Sequence, residues 1–342
     1  MNQFFPPGAA ALHHSLLTLD THIDIPWPDG PDPFQDGTRR VDLPKMRRGG
    51  LRGGFFAAYI PQGLRTPEAE QAAFERAMQM LHAIRAMSRV DEELEVRLAA
   101  TTQQIDAAWH DDALIVVPCV ENGFAIGSDL SRLRQFRALG ACYLTLTHNG
   151  HNALADSAVP RKDFADPPEE HGGLSALGRA AIAELNRLGM LVDVSHLSKA
   201  GMIQAATASR TPIVATHSCI RALCDHPRNL DDEQLDALRD CGGVVHVTAV
   251  PAFLKTQARP EEVTVADYAD HIEYAVNRIG LAHVGISSDF DGGGGFVGWR
   301  DASESPNLTA ALMRRGYDRD AIAALWGGNF LRVMRTAEEV AS

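Results

Sequence analysis

Eight short apolar runs alternate with longer amphipathic stretches along this chain of 342 residues, and that alternation limits the folds it can adopt. Each run has four to nine residues and is rich in Val, Ile, Leu, Phe or Thr, which is typical of buried parallel strands. The predicted strands span residues 17–25, 54–60, 114–120, 142–147, 191–195, 213–216, 244–248 and 284–288, and the clearest predicted helices span residues 68–89, 177–188 and 266–279. This order predicts an α/β fold, either a (β/α)8 TIM-like barrel or a doubly wound open sheet.

Polar side chains that can bind a metal or transfer a proton cluster at the carboxyl ends of the predicted strands. They lie at or just past the ends of six different strands: His22, Asp24, Glu121, His148, His196, His217 and Asp289. In a barrel these ends converge on one mouth, whereas an open sheet would spread them in a row. We therefore favour the barrel, as a single domain over residues 1–342.

Three segments outside the predicted strands complete the expected organisation. Residues 1–15 read as an N-terminal extension in which His13 and His14 face solvent. Residues 160–173 are rich in Pro and Gly and are expected to form a loop at the barrel mouth. Residues 292–295 are four consecutive glycines without the lysine of a phosphate-binding loop, so we expect a flexible loop there.

Composition narrows the possible partners and the compartment. Lys and Arg total 32 against 44 Asp and Glu, for a formal charge of −12, and no basic stripe is present, so nucleic acid is not an expected partner. No apolar run reaches the ~18 residues of a membrane span, and the first residues lack the positive charge of a signal peptide. The five cysteines form no CxxC pair and fit reduced thiols, so we expect a cytoplasmic protein without a membrane partner.

The chemistry of the polar residues favours a metal centre. Residues two apart on a strand share a face, so His22 and Asp24 point to the same side, where they would bind a metal or simply hydrogen-bond to each other. Imidazole and carboxylate ligands together suit zinc, with manganese, cobalt or iron also admissible. Three histidines, an aspartate and a glutamate exceed what one tetrahedral zinc needs, which points to two metals that share a carboxylate.

Seven blocks of this sequence also match a known family in order and content. They are LDTHIDIP with His22 and Asp24, VENG with Glu121, YLTLTH with His148, LVDVSH with His196, THS with His217, HPRN with Arg228 and SSDFDG with Asp289. On these blocks the chain resembles the membrane (renal) dipeptidase family, peptidase family M19, the binuclear zinc dipeptidases of the amidohydrolase-like superfamily. The resemblance runs from residue 19 to GGNFLRVM near the C-terminus.

The resemblance implies a role for each matched residue. One zinc would be held by His22 and Asp24 and a second by His196 and His217, with Glu121 bridging the two ions and a hydroxide between them as the nucleophile. Asp289 would shuttle a proton from water to the leaving amine, and Asp291 is a competing candidate that the block match disfavours. His148 would stabilise the oxyanion, and Arg228 would bind the C-terminal carboxylate of the substrate.

The expected function is therefore zinc-dependent hydrolysis of small dipeptides with a free C-terminal carboxylate, including dipeptides with a C-terminal D-residue. An amidase, lactonase or N-acyl-D-amino-acid deacylase on the same barrel is the alternative enzyme, and a non-catalytic metal-binding relative is the alternative without activity. Residues 149–152 depart from the mammalian family pattern, where a Ser-Cys pair follows the histidine, which puts the shape of the side-chain pocket in doubt. A homodimer is expected from the resemblance alone.

Overall fold

The fold is a barrel of parallel strands that alternate with helices, as the sequence predicts. A computed structural model of the chain describes residues 6–25, 27–91 and 94–341. Its strands are β1 (Leu19–Asp24), β2 (Gly53–Tyr59), β3 (Val90–Asp91), β4 (Leu94–Leu98), β5 (Leu114–Glu121), β6 (Tyr143–Thr145), β7 (Leu191–Asp193), β8 (Val214–Ser218), β9 (Val244–Val247) and β10 (Val284–Ile286).

Eight of these strands form the barrel wall, and each corresponds to one of the eight predicted runs. Neighbouring strands are hydrogen-bonded in the order β1-β2-β5-β6-β7-β8-β9-β10, and every pairing along this path is parallel. The barrel closes where the backbone just after β10 meets β1. There the N–H of Asp24 donates to the carbonyl of Phe290 at 3.0 Å, and the N–H of Asp289 donates to the carbonyl of His22 at 3.1 Å. This closure brings the carboxyl ends of all eight strands to one mouth.

Helices cover the outside of the barrel and connect successive strands. They are α1 (Ala9–His14), α2 (Leu43–Gly49), α3 (Pro67–Ala86), α4 (Thr102–His110), α5 (Ser131–Ala138), α6 (Ala176–Arg187), α7 (Lys199–Ala208), α8 (Asp232–Asp240), α9 (Pro251–Leu254), α10 (Val265–Ile279), α11 (Pro306–Arg314), α12 (Arg319–Ala323) and α13 (Asn329–Ala341). The predicted helices correspond to α3, α6 and α10. None of the helices within the described residues combines the length and the apolar character needed to cross a membrane.

A short hairpin beside the barrel was not predicted. Strand β4 pairs with the first residues of β5, while β6 pairs with the last two residues of the same strand, so β4 and β6 divide the length of β5 between them. Strand β3 has two residues and is more exposed than the wall strands, so it lacks the continuous apolar run by which a buried strand is recognised.

The amino ends of the strands form an apolar floor opposite the mouth. The first residues of several strands pack in one buried cluster with Phe330 of α13, whose ring meets that of Phe55 at 4.6 Å and that of His246 at 5.1 Å. With the floor filled by hydrophobic side chains, the mouth is the end of the barrel at which polar groups collect.

The expectation that His13 and His14 both face solvent is wrong for His13. Helix α1 packs on α11, so His13 is fully buried while His14 is exposed. Nδ1 of His13 lies 2.7 Å from the hydroxyl of Thr309, which also accepts from the indole N–H of Trp326. Residues 160–173 contain one short helical turn, Lys162–Phe164, and otherwise run without regular structure.

Candidate metal centre

The barrel mouth brings together all seven polar residues that were placed at strand ends from the sequence, and Arg228 joins them. His22 and Asp24 lie on β1, Glu121 ends β5 and His217 lies on β8. The other four lie in the segments that follow β6, β7, β8 and β10, and they are His148, His196, Arg228 and Asp289. The barrel therefore brings residues that lie far apart in the sequence into one cluster at its mouth.

Glu121 lies at the centre of the cluster, and its two oxygens face different ligands. Oε2 lies 3.5 Å from Nε2 of His22, which is itself 3.5 Å from Oδ1 of Asp24. Oε1 lies 3.3 Å from Nε2 of His196 and 3.4 Å from Nε2 of His217. A carboxylate that presents one oxygen to each of two ligand groups has the arrangement of a bridging ligand.

Several of these buried atoms have no hydrogen-bond partner among the described residues. They include Nε2 of His22, Nε2 of His217 and Oδ1 of Asp24. Buried polar atoms are normally hydrogen-bonded, and leaving one unsatisfied costs about 1–3 kcal/mol. Ligand atoms of the cluster lie within 4.8 Å of one another in three overlapping trios, which are His22–Glu121–His217, Glu121–His148–His196 and His22–Asp24–Asp289. Nitrogen and oxygen donors at this spacing fit zinc, so the residues present suit the metal that the family resemblance implies.

Charge within the cluster also favours a bound cation. Burial raises the pKa of Asp24 and Asp289, and the charge of Glu121 raises both further. Burial opposes ionisation of Glu121 as well, but the imidazoles of His22, His196 and His217 beside it hold its pKa well below the usual value. Three carboxylates in one buried site repel one another, and a divalent cation is the ordinary way to offset that repulsion.

Arg228 lies beside the cluster as a nearly buried cation. One of its guanidinium N–H groups donates to the carbonyl of His217 at 3.1 Å, while Nε has no partner among the described residues. Burial lowers the pKa of Arg228 to about 10, and the ring of Phe253 lies 5.4 Å from the guanidinium carbon. A buried guanidinium with an unpaired N–H is suited to an anionic group of a ligand.

His148 lies at the mouth between two other rings. Its ring lies 4.2 Å from that of His196 and 4.8 Å from that of Tyr59. Burial lowers the pKa of His148, so its imidazole is neutral at neutral pH and keeps one N–H to donate. Tyr59 ends β2, and burial followed by the charges of Glu121 and Asp24 raises its pKa to about 12. Sequence reasoning missed Tyr59, although its place at the end of an apolar strand was the available signal.

Asp291 does not share the surroundings of Asp289. Its carboxylate accepts from the guanidinium of Arg39 at 3.2 Å and from the backbone N–H groups of Arg40 and Val41 at 3.0 and 3.1 Å. Arg39 also donates to the carbonyl of Asp24 at 2.8 Å. Both oxygens of Asp291 therefore hold the segment around residue 40 against the turn that follows β10. Of these two aspartates, Asp289 is the one that belongs to a metal-binding trio.

The glycines at residues 292–295 form a bonded turn rather than the flexible loop expected. The N–H groups of Gly292 and Gly294 donate to the carbonyl of Asp289 at 3.2 and 2.8 Å, and Gly295 donates to the carbonyl of Ala249 at 2.9 Å. A Cβ on Gly292 would lie 2.3 Å from Oδ1 of Asp289 and 2.4 Å from Oδ2 of Asp24. Glycine lets the backbone pass directly against both carboxylates, which any side chain there would displace.

Backbone strain concentrates at the same mouth. His196 has φ 67°, Asp289 has φ 56°, and Asn122, directly after Glu121, has φ 86°. These values lie in the left-handed region, which costs a non-glycine residue roughly 1 kcal/mol. The strained positions are a candidate ligand, the candidate proton shuttle and the residue after Glu121, so the strain helps to direct these side chains toward the site.

Sequence reasoning also missed the groups that hold the three imidazoles. Nδ1 of His22 lies 2.9 Å from the hydroxyl of Tyr143, Nδ1 of His196 lies 2.9 Å from Oδ1 of Asn149, and Nδ1 of His217 lies 2.9 Å from Oγ1 of Thr216. Asn149 was noted only as a departure that could reshape the substrate pocket, whereas it contacts a candidate metal ligand. The available signal was position, because Tyr143 stands in the block that ends at His148 and Thr216 stands beside His217.

Comparison with known proteins places the chain in one family. The family model described as Membrane dipeptidase (Peptidase family M19) matches residues 8–342. Dipeptidase aclJ of Aspergillus oryzae is 35% identical over 307 residues, which cover 88% of this chain and 71% of that protein. The crystal structure of the probable dipeptidase PvdM from Pseudomonas aeruginosa has a TM-score of 0.92 and 32% identity, covering 97% of this chain and 98% of that one. A metallopeptidase from Rhodobacter sphaeroides, solved with a phosphinate mimic of the dipeptide L-Ala-D-Ala, has a TM-score of 0.82 and 28% identity, covering 94% of this chain and 99% of that one.

Proposed function

The chain belongs to the membrane dipeptidase family, peptidase family M19, and on that premise we propose that it hydrolyses dipeptides that carry a free C-terminal carboxylate. The observation that carries the proposal is the buried guanidinium of Arg228, whose Nε has no partner among the described residues, beside a cluster of metal-binding side chains. A neutral lactone or amide offers no anionic group to this guanidinium, whereas a dipeptide brings a carboxylate that it can bind. The alternative of a lactonase or amidase lacks a comparable supporting contact.

Two zinc ions are the proposed cofactor. His22 and Asp24 would hold one ion and His196 and His217 the other, with Glu121 contributing one oxygen to each, in keeping with the directions its two oxygens face. The chemistry that zinc supplies when bound is a hydroxide nucleophile at neutral pH, because it lowers the pKa of water to about 7.

The remaining residues are proposed to position the substrate and move protons. Arg228 binds the C-terminal carboxylate, which fixes the scissile peptide bond beside the cluster. Asp289 takes a proton from the attacking water and gives it to the leaving amine, a role supported by its place in the trio with His22 and Asp24. His148 donates a hydrogen bond to the oxyanion of the tetrahedral intermediate, for which its neutral imidazole retains an N–H.

We also propose that a D-residue is accepted at the C-terminal position. The support is the Rhodobacter sphaeroides relative, which was solved with a mimic of L-Ala-D-Ala and shares this fold over 94% of the chain. The homodimer and the cytoplasmic location expected from the sequence stay predictions.

The experiment that tests the proposed function is hydrolysis of a panel of L-L and L-D dipeptides, each paired with its C-terminal amide. The protein is assayed as purified, after chelation and after zinc is restored. We expect zinc-dependent hydrolysis of the free acids and at least a tenfold lower kcat/KM for the amides. In Arg228→Met this preference should shrink, mainly through a higher KM for the acids. Zinc binding without turnover of any dipeptide would contradict the proposal and direct attention to amide and lactone substrates.

A further inference from the structure

Each imidazole that faces Glu121 has its other ring nitrogen in one hydrogen bond to a different kind of oxygen. The partner is a phenol for His22, a side-chain amide for His196 and a threonine hydroxyl for His217, each at 2.9 Å. Because Nε2 is the atom that points toward Glu121, the question is which nitrogen of each ring carries the proton. The surrounding donors and acceptors answer it.

The phenol of Tyr143 has one proton, and that proton is already used. Its O–H donates to the carbonyl of Thr21 at 3.0 Å, and a carbonyl can only accept. Toward His22 the phenol oxygen must therefore accept, so Nδ1 of His22 carries the proton. In the neutral imidazole Nε2 of His22 then keeps its lone pair on the side that faces Oε2 of Glu121.

The hydroxyl of Thr216 is committed in the same way by a buried carboxylate. Its proton goes to Oδ2 of Asp193 at 2.7 Å, so its oxygen accepts from Nδ1–H of His217. Asp193 is fully buried and also accepts from the hydroxyl of Thr145 at 2.6 Å. Its other oxygen accepts from the backbone N–H groups of Ser195 and Thr216, both at 3.0 Å. Asp193 thus joins β6, β7 and β8 and sets the direction of the threonine hydroxyl.

Asn149 supplies the third acceptor from a loop rather than a strand. Its Oδ1 lies 2.9 Å from Nδ1 of His196, and the side chain is partly exposed in the segment that follows β6. With Oδ1 of Asn149 facing the ring, Nδ1 of His196 donates and Nε2 keeps its lone pair, whereas the opposite orientation of the amide would reverse both. An Asn149→Asp substitution places an acceptor at both positions and so tests this assignment.

We propose that Tyr143, Asn149 and the Asp193–Thr216 pair are positioning residues that hold the three imidazoles as Nδ1–H tautomers with Nε2 free to bind metal. The inference rests on the metal centre of the proposed function, but it concerns zinc binding and not the identity of the substrate. Partners of this kind raise the basicity of the ligand and fix its ring, and removing one typically costs 10–100-fold in metal affinity.

Thr216→Val is the main test, because valine keeps the shape of threonine and removes only the hydroxyl. The full chain is stripped of metal, and zinc affinity is measured by competition with a chromophoric chelator. We expect zinc to bind 10–100-fold more weakly than in the wild type. Thr216→Ser should recover most of that loss, because serine restores the oxygen. Thr248→Val is the matched control, since the buried hydroxyl of Thr248 has no partner among the described residues and its loss should leave zinc affinity within twofold.

Variants of the partners of His22 and His196 keep the inference testable if Thr216→Val does not fold. Tyr143→Phe removes the phenol oxygen beside His22 and should weaken zinc binding. Asn149→Leu should do the same for His196, while Asn149→Asp should bind zinc at least as tightly as the wild type. Each variant is also loaded with cobalt(II), whose visible absorption reports ligand geometry, so that a loss of general stability is distinguished from a change at the ligands.

The outcomes separate this inference from the proposed function. Wild-type zinc affinity and an unchanged cobalt spectrum in both Thr216→Val and Tyr143→Phe would overturn the inference and leave a dipeptidase possible. Weakened zinc binding in these variants, with rescue by Thr216→Ser, supports it even if no dipeptide is hydrolysed.

Discussion

Two groups of buried carboxylates in this barrel differ in whether their oxygens have donors. Asp193 accepts four hydrogen bonds from hydroxyl and N–H groups, and Asp156 accepts from the backbone N–H groups of three residues between 170 and 173. At the mouth, Asp24 has an oxygen without a partner among the described residues, and Asp289 lies in one trio with Asp24 and His22. We call Asp193 and Asp156 the framework carboxylates and Asp24, Glu121 and Asp289 the mouth carboxylates.

The difference indicates what each group does. A buried carboxylate surrounded by donors stabilises the fold, because its charge is satisfied by the protein itself. The N–H groups of Gly173, Glu170 and His171 hold the pKa of Asp156 below its usual value although burial opposes them. A buried carboxylate beside other carboxylates destabilises the protein until a cation binds. Perturbed groups of the second kind are characteristic of functional sites.

The largest effect is expected from a change at the centre of the mouth. Glu121→Gln replaces one of the two oxygens that face the candidate ligands with an amide nitrogen, which cannot bind a metal. We expect zinc content to fall to at most one ion per chain and dipeptide hydrolysis to fall about a thousandfold, ~4 kcal/mol in activation free energy. Metal analysis and kcat/KM measure both.

The control for this variant is Glu338→Gln on α13, whose carboxylate accepts from the backbone N–H and the hydroxyl of Thr102 on α4. It should change activity less than twofold. Full activity in Glu121→Gln would show that the mouth carboxylates do not build the catalytic centre.

The second prediction sets a framework carboxylate against a mouth carboxylate. Asp193→Asn replaces one of the two accepting oxygens with an NH₂ group, which then faces two donors that have lost their acceptor. The free energy of unfolding should therefore fall by about 3 kcal/mol. In Asp289→Asn the opposite sign is expected for metal-free protein, because burial and the neighbouring carboxylates disfavour the charge that this substitution removes. Urea unfolding of the metal-free variants at pH 7 measures both changes. A similar loss of stability in both variants would contradict the distinction between framework and mouth carboxylates.

The third prediction concerns Gly292, where the backbone passes directly beside two of the mouth carboxylates. Gly292→Ala adds a methyl group that meets both Asp24 and Asp289, so we expect roughly tenfold weaker zinc binding and hydrolysis. The temperature of unfolding should stay within about 2 °C, because the clash is with the free ends of two side chains. Gly37→Ala is the control, since a Cβ there meets nothing closer than 3.8 Å. A variant that binds zinc normally would mean that the carboxylates move aside without consequence.

The smallest effect is expected from His13, a buried base on α1 outside the mouth. Burial lowers the pKa of His13 to about 3, whereas an unfolded histidine titrates near 6.5. The native state therefore stays neutral while the unfolded state takes up a proton below pH 6.5, so stability is complete above pH 6.5 and is lost as pH falls toward 3. Between pH 6.5 and 5.5 the wild type should lose about 1 kcal/mol that His13→Asn does not lose.

His14→Asn is the matched control for this pH dependence, because His14 is exposed and should leave the wild-type slope intact. Equal slopes in the wild type and in His13→Asn would contradict the burial of His13 as a neutral base.

Sequence alone predicted the barrel and located the mouth, because strand periodicity and polar residues at strand ends are local signals. The eight wall strands begin and end within a few residues of the predicted positions. Residue roles at the mouth stay predictions, although all eight implied residues lie together there.

What the sequence could not predict depends on contacts between distant segments. His13 is polar and precedes the first strand, yet it is buried because α1 packs on α11, which no local pattern reveals. The glycines after β10 carry no sign that one of them touches Asp24, which lies 268 positions earlier. Asn149 was recognisable only as an unusual residue, because its partner His196 lies 47 residues away.

The most direct test of a two-metal mouth is anomalous scattering at the zinc edge from crystals of the zinc-loaded protein. We predict two peaks, one on the side of Glu121 that faces His22 and Asp24 and one on the side that faces His196 and His217. A single peak, or none with zinc in excess, would contradict the bridging role of Glu121 and with it the proposed centre.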